Sequence, residues 1–462
     1  MEGLRWISGA MTAGLLLAPG LATAQTTAPA ANTAALEARI AQLEAELNSL
    51  KSEIRSSRAV STPATLPPGA VPVAAPAPAS PTPAPPLAPQ VAQASEPQGL
   101  RIGNHVLKFG GFIKADASLT QFSDGNPPST DLGRNFYLPS SIPVGGERED
   151  PVSDFTARQT RFWLTSEGTV GGHKVGTRIE MDFQALPGSG DYRTTNAANP
   201  ALRRAFVTID NWLIGQEWST FAHPGVLPET ADYVGATDSA IITRQPQVRY
   251  SRNGFAIALE NPETTLSPAG GGARLVADDN SLPDLTARYG LTRPWGEAQI
   301  AGLVRQLKYV DPASTTDATA AGWGLSATAL FKVGSQDDIR LMLAGGEGIG
   351  RYVGLNLGND AVLDAEGELH TIGVLAGYAA YRHLWRTDLR SSLIVSGQWL
   401  DNPDTLAGPL VNRSASSVRG NLIWTPLTGF DLGAELMFGK REIESGDSGD
   451  MTRLTLFAKY GF

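Results

Sequence analysis

Five arginines stand out for what a guanidinium does in a wet, enclosed space: Arg161, Arg178, Arg204, Arg249 and Arg288. Each lies in a run where apolar and polar residues alternate, and each falls on the polar side. Arg161 is opposed by Phe162 and Leu164, Arg178 by Ile179, and Arg204 by Ala205 and Val207. Arg249 is opposed by Val248 and Tyr250, and Arg288 by Ala287 and Tyr289. Arg419 follows the same rule against Val418. A guanidinium stays charged and grips carboxylate or phosphate through two parallel N–H donors, and rings of such groups favour anions. These five are the predicted substrate contacts. Acids share their side of the alternation, namely Asp116, Glu180, Asp182, Glu260 and Glu435. The competing reading is therefore a mixed, ion-paired lining that only keeps a lumen wet.

A second group sits in the connection 220–245, too long for a passive loop. If it folds into the lumen as a constriction, Asp232, Tyr233, Asp238 and Arg244 face the passage. A loop lying over the outside is the alternative. Catalytic signals are weak. There is no cysteine, and the five histidines (His105, His173, His223, His370 and His383) have no serine on the same face of the same strand. The acidic pairs Asp278–Asp279 and Asp337–Asp338 read as solvated turn charges. No enzyme, cofactor or metal site is expected, and the net charge of −9 argues against nucleic acid as a partner.

The elements that must carry these residues are strands. From residue 100 onward, side chains alternate by type, as in Phe109, Gly111, Ile113 and Ala115 against Lys108, Phe112, Lys114 and Asp116. Phe462, Tyr460, Ala458, Leu456 and Leu454 share a face in the same way. An unpaired strand there would be an aggregation edge, whereas a closed barrel pairs it with the first strand. About sixteen strands are legible, and eighteen if Ser239–Thr243 pairs separately. Tight turns are predicted at Gly171-Gly172, Asp210-Asn211, Arg252-Asn253-Gly254, Arg293-Pro294-Trp295-Gly296, Gly334-Ser335-Gln336, His383-Leu384-Trp385 and Pro426-Leu427-Thr428-Gly429. They alternate with eight long connections. That segregation fits an all-β transmembrane barrel of antiparallel strands, and no run of about 18 apolar residues follows the N-terminus to suggest a membrane helix.

Ahead of the barrel, residues 1–24 read as a secretory signal peptide, with Arg5, the Leu15-Leu16-Leu17 core and Ala22-Thr23-Ala24 in order. Residues 25–60 hold a heptad seam of Leu36, Ile40, Leu43, Leu47, Leu50 and Ile54. The flanking pairs Arg39 with Glu44, Glu46 with Lys51, and Glu53 with Arg58 are opposite in sign, as a parallel coiled coil requires. The Ile/Leu mixture leaves dimer and trimer both open. Residues 61–99 form a Pro/Ala-rich linker that stays extended, reaching on the order of 100 Å if stiff. Residues 100–462 are the barrel.

The stretches LKFGGFIKADA (107–117), RQTRFWLTSEG (158–168), GTRIEMDF (176–183), LRRAFVTIDNWLIGQEWSTF (202–221) and FAKYGF (457–462) resemble the DcaP-like outer-membrane porins. That resemblance implies a homotrimer in the bacterial outer membrane, in contact with its lipid, with the coiled coil in the periplasm. It also implies passive uptake of small anionic solutes, dicarboxylates among them. Phosphate-selective porins share the layout, but the interleaved acids here break up a pure arginine ladder. A second role is a structural one, with coiled coil and linker tying the outer membrane to peptidoglycan.

Overall fold

The computed structural model describes residues 99–184, 195–232, 234–355 and 357–462. The expected signal peptide, coiled coil and most of the linker lie outside the described residues. Sixteen strands make up the wall: β1 His105–Phe122, β2 Arg161–Val170, β3 His173–Asp182, β4 Ala201–Ile209, β5 Trp212–Trp218, β6 Arg244–Arg252, β7 Phe255–Glu260 and β8 Asp284–Arg293. The second half is β9 Gly296–Val310, β10 Asp317–Val333, β11 Asp337–Glu347, β12 Gly373–Arg386, β13 Leu389–Asp401, β14 Asn412–Leu427, β15 Phe430–Ile443 and β16 Ser448–Gly461. Every strand pairs antiparallel with its neighbours in sequence, and β16 returns to β1 with Phe112 opposite Gly461 and Phe122 opposite Met451. The Gly111 and Phe462 backbones exchange both hydrogen bonds at 3.1 Å. The sheet is closed, so no edge remains.

The count of eighteen does not hold. Ser239–Thr243 lies in a loop and contributes a single isolated bridge, Ile241 to Val353. Most turns fall where the residue types demanded. Gly171 and Gly172 (φ +58° and +86°) and Asn253 and Gly254 (φ +52° and +83°) are paired left-handed positions, the type I′ geometry that matches strand twist. The expected turn at His383–Trp385 is a correction. The β12 strand runs on to Arg386 through a bulge between Leu384 and Arg386, and the chain reverses at Thr387–Asp388. The Asp388 carboxylate accepts from Arg386 Nε (3.0 Å) and Trp424 Nε1 (3.0 Å), which ties that turn to β14.

The outer face carries the apolar half of the alternation. Leu325, Leu343, Leu375, Leu393, Val395 and Phe438 all point away from the barrel and are exposed. Aromatic pairs such as Trp212–Tyr250 and Trp295–Phe331 gather near the turn end, as in an interfacial girdle. Leu343→Arg, in mid-strand on this face, should lower barrel stability in lipid vesicles by about 2–4 kcal/mol. Urea unfolding checks this, and an unchanged midpoint would mean that lipid does not cover the position.

Eight loops connect strand tops, and among the described residues three of them turn inward: L1 (123–160, whose Val152–Thr156 segment pairs with β1 in the wall), L3 (219–243) and L6 (348–372). A small separate sheet of Thr264–Pro268, Leu275–Ala277, Ala361–Leu363 and Leu369–Thr371 joins L4 (261–283) to L6. L6 is anchored by charge. Arg305 reaches Asp284 (3.3 Å) and Asp360 (3.0 Å), all fully buried, and the Tyr352 hydroxyl donates to Asp284 (2.7 Å). A buried ion pair persists only when fully partnered, and these groups are.

Candidate functional site: the lumen beneath the third loop

L3 begins and ends at the barrel wall, where Ser219 N–H donates to Thr243 O at 3.0 Å. Between these points it crosses the lumen and takes one hold after another from successive strands. From β9, Gln299 donates to Ala222 O (3.2 Å), and from β10, Thr328 Oγ1 meets His223 Nδ1 (2.7 Å). From β12, the Tyr378 hydroxyl donates to Val226 O (3.1 Å), and from β13, Arg390 grips Glu229 (2.8 Å). Asn421 on β14 donates to Glu229 O (2.7 Å), and Glu435 on β15 accepts from Ala231 N–H (3.0 Å). Phe221, Ala222, Val226 and Ala236 are fully buried in this seam. A loop backbone in a lumen must find partners for its polar groups, and the wall supplies them in strand order.

The space left open beside L3 is a cavity of about 720 Å³. Its described lining holds seven basic residues, Lys114, Arg161, Arg203, Arg244, Arg340, Arg382 and Lys459, against three acids, Asp182, Glu229 and Asp431. One side of it is an arginine–carboxylate cluster. Glu180 sits among Arg161 (3.5 Å), Arg178 (2.6 Å), Arg203 (3.1 Å) and Arg204 (3.5 Å). Asp182 pairs with Arg203 (2.7 Å) and Arg161 (3.4 Å), and Glu217 with Arg204 (2.5 Å). Four guanidiniums face three carboxylates, so one positive charge is in excess. Elsewhere around the cavity, Asp338 is shared by Arg340 (2.8 Å) and Arg382 (2.6 Å), and Lys459 pairs with Asp431 (2.9 Å). Aromatic faces back the cations, with Arg161 over Phe112 (5.6 Å), Arg178 over Trp163 (5.3 Å) and Arg244 over Trp218 (4.8 Å).

Of the five arginines predicted as contacts, Arg161 lines this cavity. Arg178 and Arg204 stand beside it in the same cluster. Arg249 and Arg288 lie elsewhere, with Arg249 buried at the root of L3 and pointing to Trp218 O, and Arg288 pointing to Ala222 O (both 3.5 Å). They sit under the loop, where Arg249 meets the last carbonyl of β5 and Arg288 a carbonyl of L3 rather than the open passage. In the loop set, Arg244 reaches the cavity. Asp232 is buried 3.6 Å from Arg419. Asp238 also departs from expectation, being enclosed between L3 and the wall with Tyr137 Oη 3.4 Å from its carboxylate. Tyr233 lies outside the described residues.

The alternation alone could not give Arg203. Adjacent residues point to opposite faces of a strand, yet a bulge where Glu180–Met181 meets Arg204–Leu202 turns Arg203 and Arg204 both inward. Lys114, Arg340, Arg382 and Lys459 were within reach of the same parity rule that found the others.

Burial raises the Asp238 pKa above the ordinary aspartate value, and Arg419 only partly opposes this. A raised carboxyl pKa means that the folded state holds a proton the unfolded chain has released. Between the two pKa values stability therefore falls as pH rises. Asp238→Asn should abolish that part of the slope, as denaturant unfolding at stepped pH would record. An identical slope in wild type and variant would contradict the assignment.

The family model of the DcaP outer membrane protein matches residues 150–462. The chain belongs to the DcaP outer membrane protein family. Among solved structures, the outer membrane channel DcaP of Acinetobacter baumannii matches with 25% identity and a TM-score of 0.65, over 79% of this chain and 99% of that one. A loop L8 deletion mutant of OmpT from Vibrio cholerae matches with 14% identity and a TM-score of 0.46, over 78% of this chain and all of that one. No curated protein sequence matches the chain. Membership in the DcaP family makes this barrel an outer-membrane protein of porin type.

Proposed function

We propose that the barrel is a passive channel for small organic anions, dicarboxylates among them. The observation that carries this reading is the excess of basic over acidic side chains around the cavity beside L3. Passage needs no turnover. An anion exchanges water for guanidinium contacts that are already shared with fixed carboxylates, so each hold is weak enough to release. Those interleaved acids also speak against a phosphate-selective ladder. Single-channel recordings with a panel of mono- and dicarboxylates test the reading. Currents should be carried by the anion and briefly interrupted by dianions, and indifference to anion identity would count against it.

The same reading includes export through the signal peptide and a homotrimer joined by the heptad of residues 36–58. The wall itself supports self-association. β5 has seven residues and β7 six, while β10 has 17. A lipid-spanning strand needs about 9–11, so the low wall is better matched to neighbouring copies than to lipid. The coiled coil and spacer also favour a tether to the cell wall. Deleting residues 25–99 separates the roles, because conductance should survive while cell-wall association is lost.

A further inference from the structure

The loop end of the barrel is acidic on balance, with Glu147, Glu149, Asp150, Asp278, Asp404 and Asp447 exposed there against Arg148. Such a crown repels the anions that the proposed channel would admit. It is interrupted by a second cavity, of about 610 Å³, between L4, L6, L7 (402–411) and the top of β15. No Asp or Glu is among its described lining residues, and two arginines are, Arg274 and Arg441.

The hydrogen bonds that orient the two guanidiniums run to neutral acceptors, and Arg274 also feels the Asp360 carboxylate. Arg274 Nε donates to Asn359 Oδ1. Arg441 donates from Nε to Asn412 Oδ1 (2.7 Å) and from Nη1 to the Ser140 and Ile142 carbonyls (3.0 and 2.8 Å). L4 and L7 meet along backbone, with Gly270 N–H donating to Leu406 O at 2.8 Å. A Cβ on Gly408 would overlap the Gly270 carbonyl, so this closely packed wall requires glycine.

We propose that this cavity is an outer capture site for small oxyanions, a step before the lumen and distinct from it; the inference rests on the anion-channel reading. A cleft of one charge sign focuses field lines and raises the local concentration of counter-ions, which speeds association by about 10–1,000-fold in favourable cases. Arginine suits carboxylate through its planar fork. The acidic crown and the basic cleft then act together, because the crown leaves the cleft as the favoured approach for an anion.

The test uses the full-length protein inserted in one orientation in a planar bilayer, with succinate as the probe added to either side. Arg274→Gln and Arg441→Gln should each lower the rate of succinate-induced current interruptions about threefold or more from the loop side. Turn-side rates and open-channel conductance should stay as in wild type, and Arg274→Lys should keep most of the loop-side rate. An unchanged loop-side rate in both glutamine variants overturns the capture site. So does an equal loss from the two sides, which would mean that the arginines act on the lumen. A wild-type channel that succinate enters from neither side overturns the anion-channel reading itself and the capture site with it.

Discussion

Replacing Arg161 and Arg203 together with alanine is expected to turn an anion-preferring pore into one that no longer excludes cations. Arg203 and Arg161 both pair with Asp182, at 2.7 and 3.4 Å, and they share Glu180. Removing them leaves Arg178 and Arg204 against three carboxylates, so the local excess changes from one positive charge to one negative charge. The cavity lining falls from seven basic residues to five, while its three acids stay. At an effective dielectric constant near 20, a unit charge 4 Å away is worth about 4 kcal/mol, and a barrier change of only about 1.4 kcal/mol is tenfold in rate. The anion-to-cation permeability ratio should therefore fall on the order of tenfold. The paired lysine variant, Arg161→Lys with Arg203→Lys, keeps the charge and loses the fork, and should retain the sign of selectivity. If both variants fold and the alanine pair keeps the wild-type ratio, this cluster does not set selectivity.

Excising residues 224–231 from L3 and closing the gap with a short glycine linker should raise single-channel conductance roughly twofold or more, because a sixteen-stranded wall alone encloses a wide aqueous lumen. The excised segment takes holds from β12 to β15 through Tyr378, Arg390, Asn421 and Glu435. Those side chains would then face water, which replaces hydrogen-bond partners at small net cost. The barrel should still fold, since its closure depends on strand pairing and not on the loop. Anion selectivity should weaken along with the rise in conductance, because fixed charges are screened across a wider lumen, even though loss of Glu229 frees Arg390. Conductance equal to that of wild type would show that L3 does not set the narrowest point.

How much of this was legible in the sequence follows from the physics of each element. Strand alternation has period two, so the inward or outward sense of residues such as Arg161, Glu180 and Leu343 could be read directly. Asn253-Gly254 announced its turn because both positions need φ above zero. The reversal near residue 387 was misplaced because His383-Leu384-Trp385 looked like an interruption, while a bulge let the strand run on through it. Arg203 was hidden for the same reason, since a bulge breaks the parity rule that finds Arg161, Arg178 and Arg204. The small sheet linking L4 and L6 is made of three- to five-residue strands distant in sequence, a pairing no local pattern encodes. Arg249 and Arg288 were correctly sided, but nothing local states that a loop will cover them. Which inward charges face open water is decided by L1, L3 and L6, and the course of those loops is a tertiary property.

The most direct test of the account is the zero-current potential of the wild-type channel across a potassium succinate gradient in a planar bilayer. A cavity whose charged lining is mainly arginine and lysine predicts a potential whose sign marks succinate as the more permeant ion. The opposite sign, or a barrel that inserts and carries no current, would contradict the claim that this lumen conducts small organic anions.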